Sequence, residues 1–382
     1  MTQTPLADIK VVEFARILAG PWAGQILADL GAEVIKVESP AGDDTRKWGP
    51  PFVEHADGSG DAAYFHATNR GKRSVTIDFA EESGRVQARQ LAQSADVVIE
   101  NFKVGGLAKF GLDYASLSAV NPRLVYCSIT GFGQDGPYAH RAGYDFIVQG
   151  MSGIMDLTGE PDGAPQKIGV AYADILTGLY AVIGIQAALA EREQSGMGQH
   201  VDMALFDVMV GTLANQAMNY LISGSAPKRL GNAHPNIAPY ETYPTQDSWI
   251  ILAIGNDEQF RRFCAIVGLA REDRFATNSL RIENRIELSA LVAARTRQWR
   301  RGALLAELEL AGVPAGPINT VADAFADPQI VSRGMMLMMG GEGGVGIPGV
   351  RLPIRFSRSD LAHPRVSPKL GEAALLQFGD MQ

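Results

Sequence analysis

The chain has 382 residues, 46% hydrophobic and 20% charged, which excludes a disordered protein and suits two domains with sizeable cores. Its net charge of -8 argues against broad attraction to nucleic acid or to an anionic membrane, so a polyanionic ligand needs a local basic pocket. The two cysteines, Cys127 and Cys264, lie in apolar stretches and read as buried free thiols of a reducing compartment. Met1 to Asp8 lacks the basic head and apolar run of a signal peptide, and no stretch reads as long and apolar enough to span a bilayer. The expected location is cytoplasmic.

In chain order, Ile9 to Phe14 reads as a strand. Pro21 suits the first residue of a helix, Leu27 and Leu30 share one face of it, and Gly31 ends it. Glu33 to Val37 is a second strand, and so short a β-α-β unit predicts a parallel pair with a right-handed crossover. Ser74 to Phe79 reads as a strand, Glu81 to Ser94 as a helix, and Asp96 to Ile99 and Leu124 to Ile129 as strands. Ile175 to Glu193 is a long apolar helix, followed by a strand over Gln199 to Met203. This alternation predicts a doubly wound α/β domain with buried parallel strands over 1–223.

From Gly224 the turn formers accumulate, and Gly224 to Pro227 and Gly231 to Pro239 read as a linker into a smaller domain over 224–327. There Trp249 to Ile254 reads as a strand, Glu258 to Val267 as a helix, and Asn284 to Ala311 as one or two charged surface helices. Gly312 to Pro317 is expected to carry the chain back, with 328–382 completing the larger domain.

Several segments carry candidate chemistry. Gly131-Phe132-Gly133-Gln134-Asp135-Gly136 has the glycine spacing of a dinucleotide site, but Pro137 and Ala142-Gly143 interrupt the helix such a site requires, so it reads as a glycine-rich loop. Walker, H-E-x-x-H and Cys-x-x-Cys patterns are missing and the six histidines are scattered, so neither a metal nor a tightly bound cofactor is expected. Asp174 stands directly before the long helix. It reads as an N-cap and, held ionised by the helix N-terminus, as a nucleophile for a carbonyl. Asn69-Arg70-Gly71-Lys72-Arg73 reads as a solvated loop or as a seat for phosphates, to which Lys103, Lys109 and Arg141 could add. Asn101-Phe102 follows a strand at the carboxyl edge, where ligands of open α/β sheets bind. Ala253-Ile254-Gly255-Asn256 reads as a strand-to-helix turn or as a mobile loop whose N–H groups approach a carbonyl oxygen.

Together these segments resemble the class III CoA-transferase family over nearly the whole chain. The resemblance rests on Ala19 to Ala23, Asp29 to Glu38, Gly42 to Arg46, Asn69 to Arg73, Glu100 to Phe102 and Tyr126 to Gly133. It implies a Rossmann-like large domain made from both ends of the chain, a small middle α+β domain, and an interlocked homodimer. It makes Asp174 the nucleophile and Gly255 part of the oxyanion loop. Coenzyme A contacts carry over to Arg16, Ile17, Lys72, Arg73, Asn101, Phe102, Lys109 and Arg141. Gly231 to His234, Pro239-Tyr240 and Gly255 to Phe260 are most similar to members that act on succinyl-CoA and dicarboxylates such as glutarate. Arg46, His234 and Tyr240 are candidates for acceptor recognition. Family racemases carry a histidine where this chain has Tyr144, a poor base at neutral pH. A racemase-like enzyme and a non-catalytic acyl-CoA-binding protein are the alternatives.

Overall fold

The computed structural model describes residues 4–54, 58–340 and 346–373. Its strands are β1 (Lys10–Glu13), β2 (Glu33–Glu38), β3 (Phe52–Glu54), β4 (Gly60–Ala62), β5 (Arg73–Thr76), β6 (Val97–Glu100), β7 (Val125–Thr130), β8 (His200–Ala204), β9 (Tyr240–Pro244), β10 (Trp249–Ala253), β11 (Ala315–Pro317), β12 (Met336–Met339) and β13 (Ile347–Val350). The chain forms two compact units. One takes the residues up to 154, 167–218 and the described residues from 328 onward; the other takes 155–166 and 219–327. Relative to the expected boundaries, 155–166 and 219–223 group with the second unit, while 341–345 and 374–382 lie outside the described residues.

The first unit is built on a six-stranded sheet of order β5-β2-β1-β6-β7-β8, with every pairing parallel. Successive strand residues point to opposite faces, and both faces are apolar. Val11, Val34, Val97, Ile99, Val125 and Cys127 pack on one side with the helices Ala19–Asp29 and Tyr172–Ser195. Val12, Ile35, Val75, Val98 and Tyr126 pack on the other with the helix Glu82–Gln93. Burying each of the larger apolar side chains contributes about 1.5–3 kcal/mol. The unit also holds the antiparallel pairs β3–β4 and β12–β13.

Two helix starts differ from expectation. The helix Ala19–Asp29 begins two residues before Pro21, which is tolerated because the first turn has no intrahelical N–H bonds to lose. The long helix begins at Tyr172 rather than Ile175 and ends on Gly196, which takes the left-handed conformation and donates to Arg192 O. That 24-residue helix also corrects the expectation that no stretch is long and apolar enough to cross a bilayer: by length and composition it is. One face, including Ala181, Ile185 and Leu189, is nevertheless buried in the unit's core.

The second unit carries an antiparallel sheet of order β11-β10-β9. Its core joins Ile250 and Leu252 of β10 to Phe263, Leu288, Val292, Leu304 and Leu308, from the helices Asp257–Val267, Arg285–Thr296 and Arg301–Leu310. Asn284 to Ala311 thus resolves into two helices. Ala315–Pro317 lies along β10 as an edge strand, where a proline's missing N–H is harmless.

Candidate active site

From β1 the chain builds outward to β2 and β5, then crosses back to place β6 on β1's other side. The crevice beyond the carboxyl ends of β1 and β6 is therefore the topological switch point, where open α/β sheets bind ligands. A cleft of about 820 Å³ opens there, within the first unit. Arg16 to Ala19 line it after β1, Asn101 to Val104 after β6, and Ile129 to Gly131 at the end of β7. The Asn101 amide ties two of these walls together, accepting from Arg16 N at 3.0 Å and donating to Arg16 O at 2.7 Å.

Asp174 lines the same cleft. It is the third residue of its helix and caps nothing, which corrects the N-cap reading. The residue serving the helix start is Asp145, whose Oδ1 accepts from Ala173 N at 2.8 Å. Asp145 Oδ2 accepts from Gln149 Nε2 at 2.8 Å, and Gln149 Oε1 accepts from Ile168 N at 2.9 Å. Burial, and then the Asp145 charge, push the Asp174 carboxyl up to about 7. The favourable potential of the helix N-terminus is therefore outweighed. The Tyr64 phenol is raised by burial and by the charges of Asp174, Asp145 and Asp43, so it stays a neutral donor. Its ring meets that of Trp48, which lines the cleft, edge-on at 5.4 Å.

The glycine-rich run opens no helix, as expected. A Cβ on Gly131 would fall 2.4 Å from Gly143 Cα, so two backbones cross here at a distance only glycines allow. This crossing delivers Tyr144 and Asp145 to the cleft wall.

The exposed cations Arg16, Lys103, Lys109 and Arg141 line the cleft with Phe79, Phe102 and Phe110. Arg16 pairs with Asp44 at 2.8 Å, both side chains open to solvent. The Arg141 guanidinium stands 4.6 Å from the Tyr138 ring centroid. Cations beside aromatic faces suit a ligand with phosphates and a heteroaromatic base.

The basic cluster 69–73 is corrected. Lys72 is buried, donating to Glu13, Asn69 Oδ1 and Pro21 O. Arg70 pairs with Asp29, and Arg73 with Glu33 at 3.1 Å. None of them lines the cleft. Arg46 is corrected likewise: it is buried, its bonds to Glu38, Asp61 and Pro368 O tie four of its five N–H donors into the interior, and it does not line the cleft.

In the second unit, the Gly255 N–H donates to Gln259 Oε1 at 2.8 Å. To serve an oxyanion it must first be released by rotation of that side chain. His234 N donates to Tyr240 O, and the two rings lie 5.1 Å apart. Sequence reasoning missed Trp48, Tyr64 and Phe79. Trp48 follows the Gly42 to Arg46 stretch and could have been drawn from it, whereas Tyr64 and Phe79 carry no local signal.

Comparison with known proteins agrees with this chemistry. The profile of CoA-transferase family III matches residues 6–374. The chain is 60% identical to the succinate–glutarate CoA-transferase of Agrobacterium fabrum over 373 residues, covering 96% of this chain and 93% of that one. It is 39% identical to the succinyl-CoA:glutarate CoA-transferase of Homo sapiens, over 96% of this chain and 84% of that one. A crystal structure of a CAIB/BAIF family protein from Brucella suis superposes with a TM-score of 0.88 at 64% identity, covering 97% of both chains. With a match over nearly its whole length, and a switch-point cleft suited to a CoA ester, the chain belongs to CoA-transferase family III, and it is a class III CoA-transferase.

Proposed function

We propose that this enzyme moves CoA from succinyl-CoA to a dicarboxylic acid such as glutarate through covalent intermediates on Asp174. The observation that carries the reading is Asp174 itself, a half-buried carboxyl raised to about 7 in a cleft lined by cations and aromatic rings. A more basic carboxylate is a better nucleophile, and at neutral pH a substantial fraction is ionised. The activities of the Agrobacterium and human relatives support the choice of substrates.

In the proposed sequence, the Asp174 carboxylate attacks the thioester carbonyl and expels CoA thiolate, leaving a mixed anhydride. The thiolate attacks the aspartyl carbonyl, succinate leaves, and CoA is held as an aspartyl thioester. The acceptor carboxylate attacks this thioester, giving a second anhydride and free thiolate. The thiolate then attacks the acceptor's acyl carbon and returns Asp174 as carboxylate. Charge and atoms balance with no added oxidant, metal or nucleotide. Tyr64 serves as a neutral donor near the reacting oxygens, and the Gly255 N–H as an oxyanion donor once Gln259 lets it go. Among the predicted coenzyme A contacts, Arg16, Ile17, Asn101, Phe102, Lys109 and Arg141 keep that role, joined by Lys103. His234 and Tyr240 remain the candidates for acceptor recognition.

We also read the active form as an interlocked homodimer. Leu179, Tyr180 and Ile183, on the solvent face of the long helix, are 40%, 45% and 61% exposed, an apolar strip that a second copy would cover.

The test is transfer by purified wild type beside Asp174→Asn. Succinyl-CoA is the donor, a panel of mono- and dicarboxylates the acceptors, and new CoA esters are read by mass spectrometry. The expected result is a dicarboxyl-CoA product made by wild type alone. Equal yields from both proteins would remove Asp174 from the chemistry, and no product with any dicarboxylate would remove the proposed acceptor.

A further inference from the structure

The cleft wall that follows β1 is gripped along its backbone. Ala15 O accepts from Lys36 Nζ at 2.9 Å. Arg16 N and O both bond to the Asn101 amide. Ile17 N donates to the Asp43 carboxylate, at 3.3 and 3.2 Å from its two oxygens. Pro21 O accepts from Lys72 Nζ at 2.8 Å. At the centre of this grip Ile17 has φ 72°, the left-handed region. A β-branched residue is an outlier there and persists only where its surroundings over-determine it.

The grip is ionic and dry. The side chains of Lys36, Lys72, Glu13 and Asp43 are at most 1% exposed. Glu13 bridges the two ammonium groups, at 3.1 Å from Lys36 and 2.8 Å from Lys72. Lys36 also reaches Asp43 at 3.0 Å, and Lys72 reaches Asn69 Oδ1 at 2.9 Å. Each ammonium group thus has three acceptors. Behind them, Asp43 N donates to Glu38 Oε2, which Arg46 holds in turn.

Buried ion pairs are weak evidence for stability, because well-packed apolar side chains of similar volume often do as well. What these charges add is direction, since three of the four end on the backbone of one segment, Ala15 to Pro21. That segment runs along the cleft that Asp174 lines.

We propose that Glu13, Lys36, Asp43 and Lys72 are positioning residues of the transfer reaction, holding the strained Ile17 turn so that the Arg16 to Ala19 wall presents the thioester to Asp174. This deepens the proposed function and rests on its acyl-CoA reading of the cleft. Lys72 then acts from the interior, through Glu13 and the Pro21 carbonyl, rather than by touching phosphate.

The experiment is a double-mutant cycle between Asp43→Asn and Ile17→Gly, because glycine takes a positive φ without strain. With Ile17 in place, Asp43→Asn is expected to lower kcat about tenfold, with the succinyl-CoA KM moving less than about threefold. In the Ile17→Gly background, whatever that substitution itself does, Asp43→Asn is expected to lower kcat less than about threefold. Equal losses in the two backgrounds would overturn the proposal. Hydrogen exchange gives a readout independent of turnover. Asp43→Asn should speed exchange in the 15–21 segment about tenfold and leave the helix 82–93 unchanged. A uniform rise, or none, would reduce Asp43 to a general stabiliser and overturn the proposal. If Asp43→Asn does not fold, Asp43→Glu keeps the charge but displaces the carboxylate from Ile17 N, and it is held to the same two criteria. A wild type without transferase activity would sink the acyl-transfer reading alone, and the exchange data would still decide whether this network holds the wall.

Discussion

Asp174→Asn should make the protein more stable, by an amount that grows with pH. The Asp174 carboxyl is raised from 3.8 in the unfolded chain to about 7, first by burial and then by the Asp145 charge. Between these values the folded state keeps a proton that the unfolded chain has released. This contribution to stability is fully present below pH 3.8 and is lost as pH rises through about 7. A shift of about three units corresponds to about 4 kcal/mol at 1.36 kcal/mol per unit. Asp174 is half-buried, and screening by solvent brings the expected effect to about 2 kcal/mol. Asparagine is uncharged throughout and stands in for the protonated acid. Urea denaturation at fixed ionic strength should therefore show the two proteins equal near pH 4 and the variant ahead by about 2 kcal/mol at pH 8. A difference that does not change with pH, or a variant less stable at pH 8, would refute the argument that burial of this carboxyl dominates. Wild-type kcat/KM should climb through the same range, since on the proposed mechanism only the carboxylate attacks.

Asp145→Asn removes the charge that adds to burial at Asp174, and the acid limb of kcat/KM should move down by about one pH unit; an unmoved limb would mean burial alone sets it. Lys72→Met leaves Glu13 short of a cation and should cost about 3–5 kcal/mol in a denaturation curve, with no change in the salt dependence of CoA binding. Lys103→Ala and Lys109→Ala should do the reverse, weakening CoA binding about three- to tenfold by calorimetry with an unshifted Tm. A Cβ at position 24 would fall 1.8 Å from Glu13 Oε2, so Gly24→Ala should cost about 1–3 kcal/mol. Gly302→Ala meets nothing within 4 Å and should instead stabilise by about 0.5 kcal/mol.

The alternation of strands and helices was legible because a parallel sheet covered on both faces must be written in apolar runs, as in Val11-Val12, Val97-Val98-Ile99 and Val125 to Ile129. Asp174 was legible as a candidate, but its place in the helix was misread by about one turn. Its N-cap reading assumed that the nearest carboxylate serves the helix start, whereas Asp145, 28 residues away in sequence, accepts from Ala173 N. The basic cluster 69–73 was legible as charge but not as direction: the same residues would suit a solvated loop, a phosphate seat or a buried network, and only tertiary packing chooses. One signal was present and unused. Lys36 sits inside the apolar strand Glu33–Glu38 and Glu13 ends Lys10–Glu13. Charges within buried parallel strands require partners. Reading them together would have pointed to an ionic interior from the sequence alone.

The buried ionic network and the half-buried Asp174 in the first unit have opposite chemical needs, and the residues around each meet them differently. At Glu13, Lys36, Asp43 and Lys72, each buried charge has an opposite charge and further hydrogen-bond partners, which hold the groups in place. At Asp174 no cation among the described residues compensates, and the nearest charge acting on it is another carboxylate. On the proposed mechanism this imbalance is useful. A carboxylate paired with Lys or Arg would have a low pKa and be a weak nucleophile. An unpaired one in a fully dry site would stay protonated at neutral pH and attack nothing. Partial burial with Asp145 alongside sets Asp174 near neutrality, where basicity and ionised fraction are both substantial. The same partial exclusion of water protects the anhydride that Asp174 would form. A lysine introduced beside Asp174, for example by Asp145→Lys, should therefore lower the carboxyl's pKa and slow acyl transfer above about pH 7, where the wild-type carboxylate is already ionised, while at lower pH the larger ionised fraction offsets that loss.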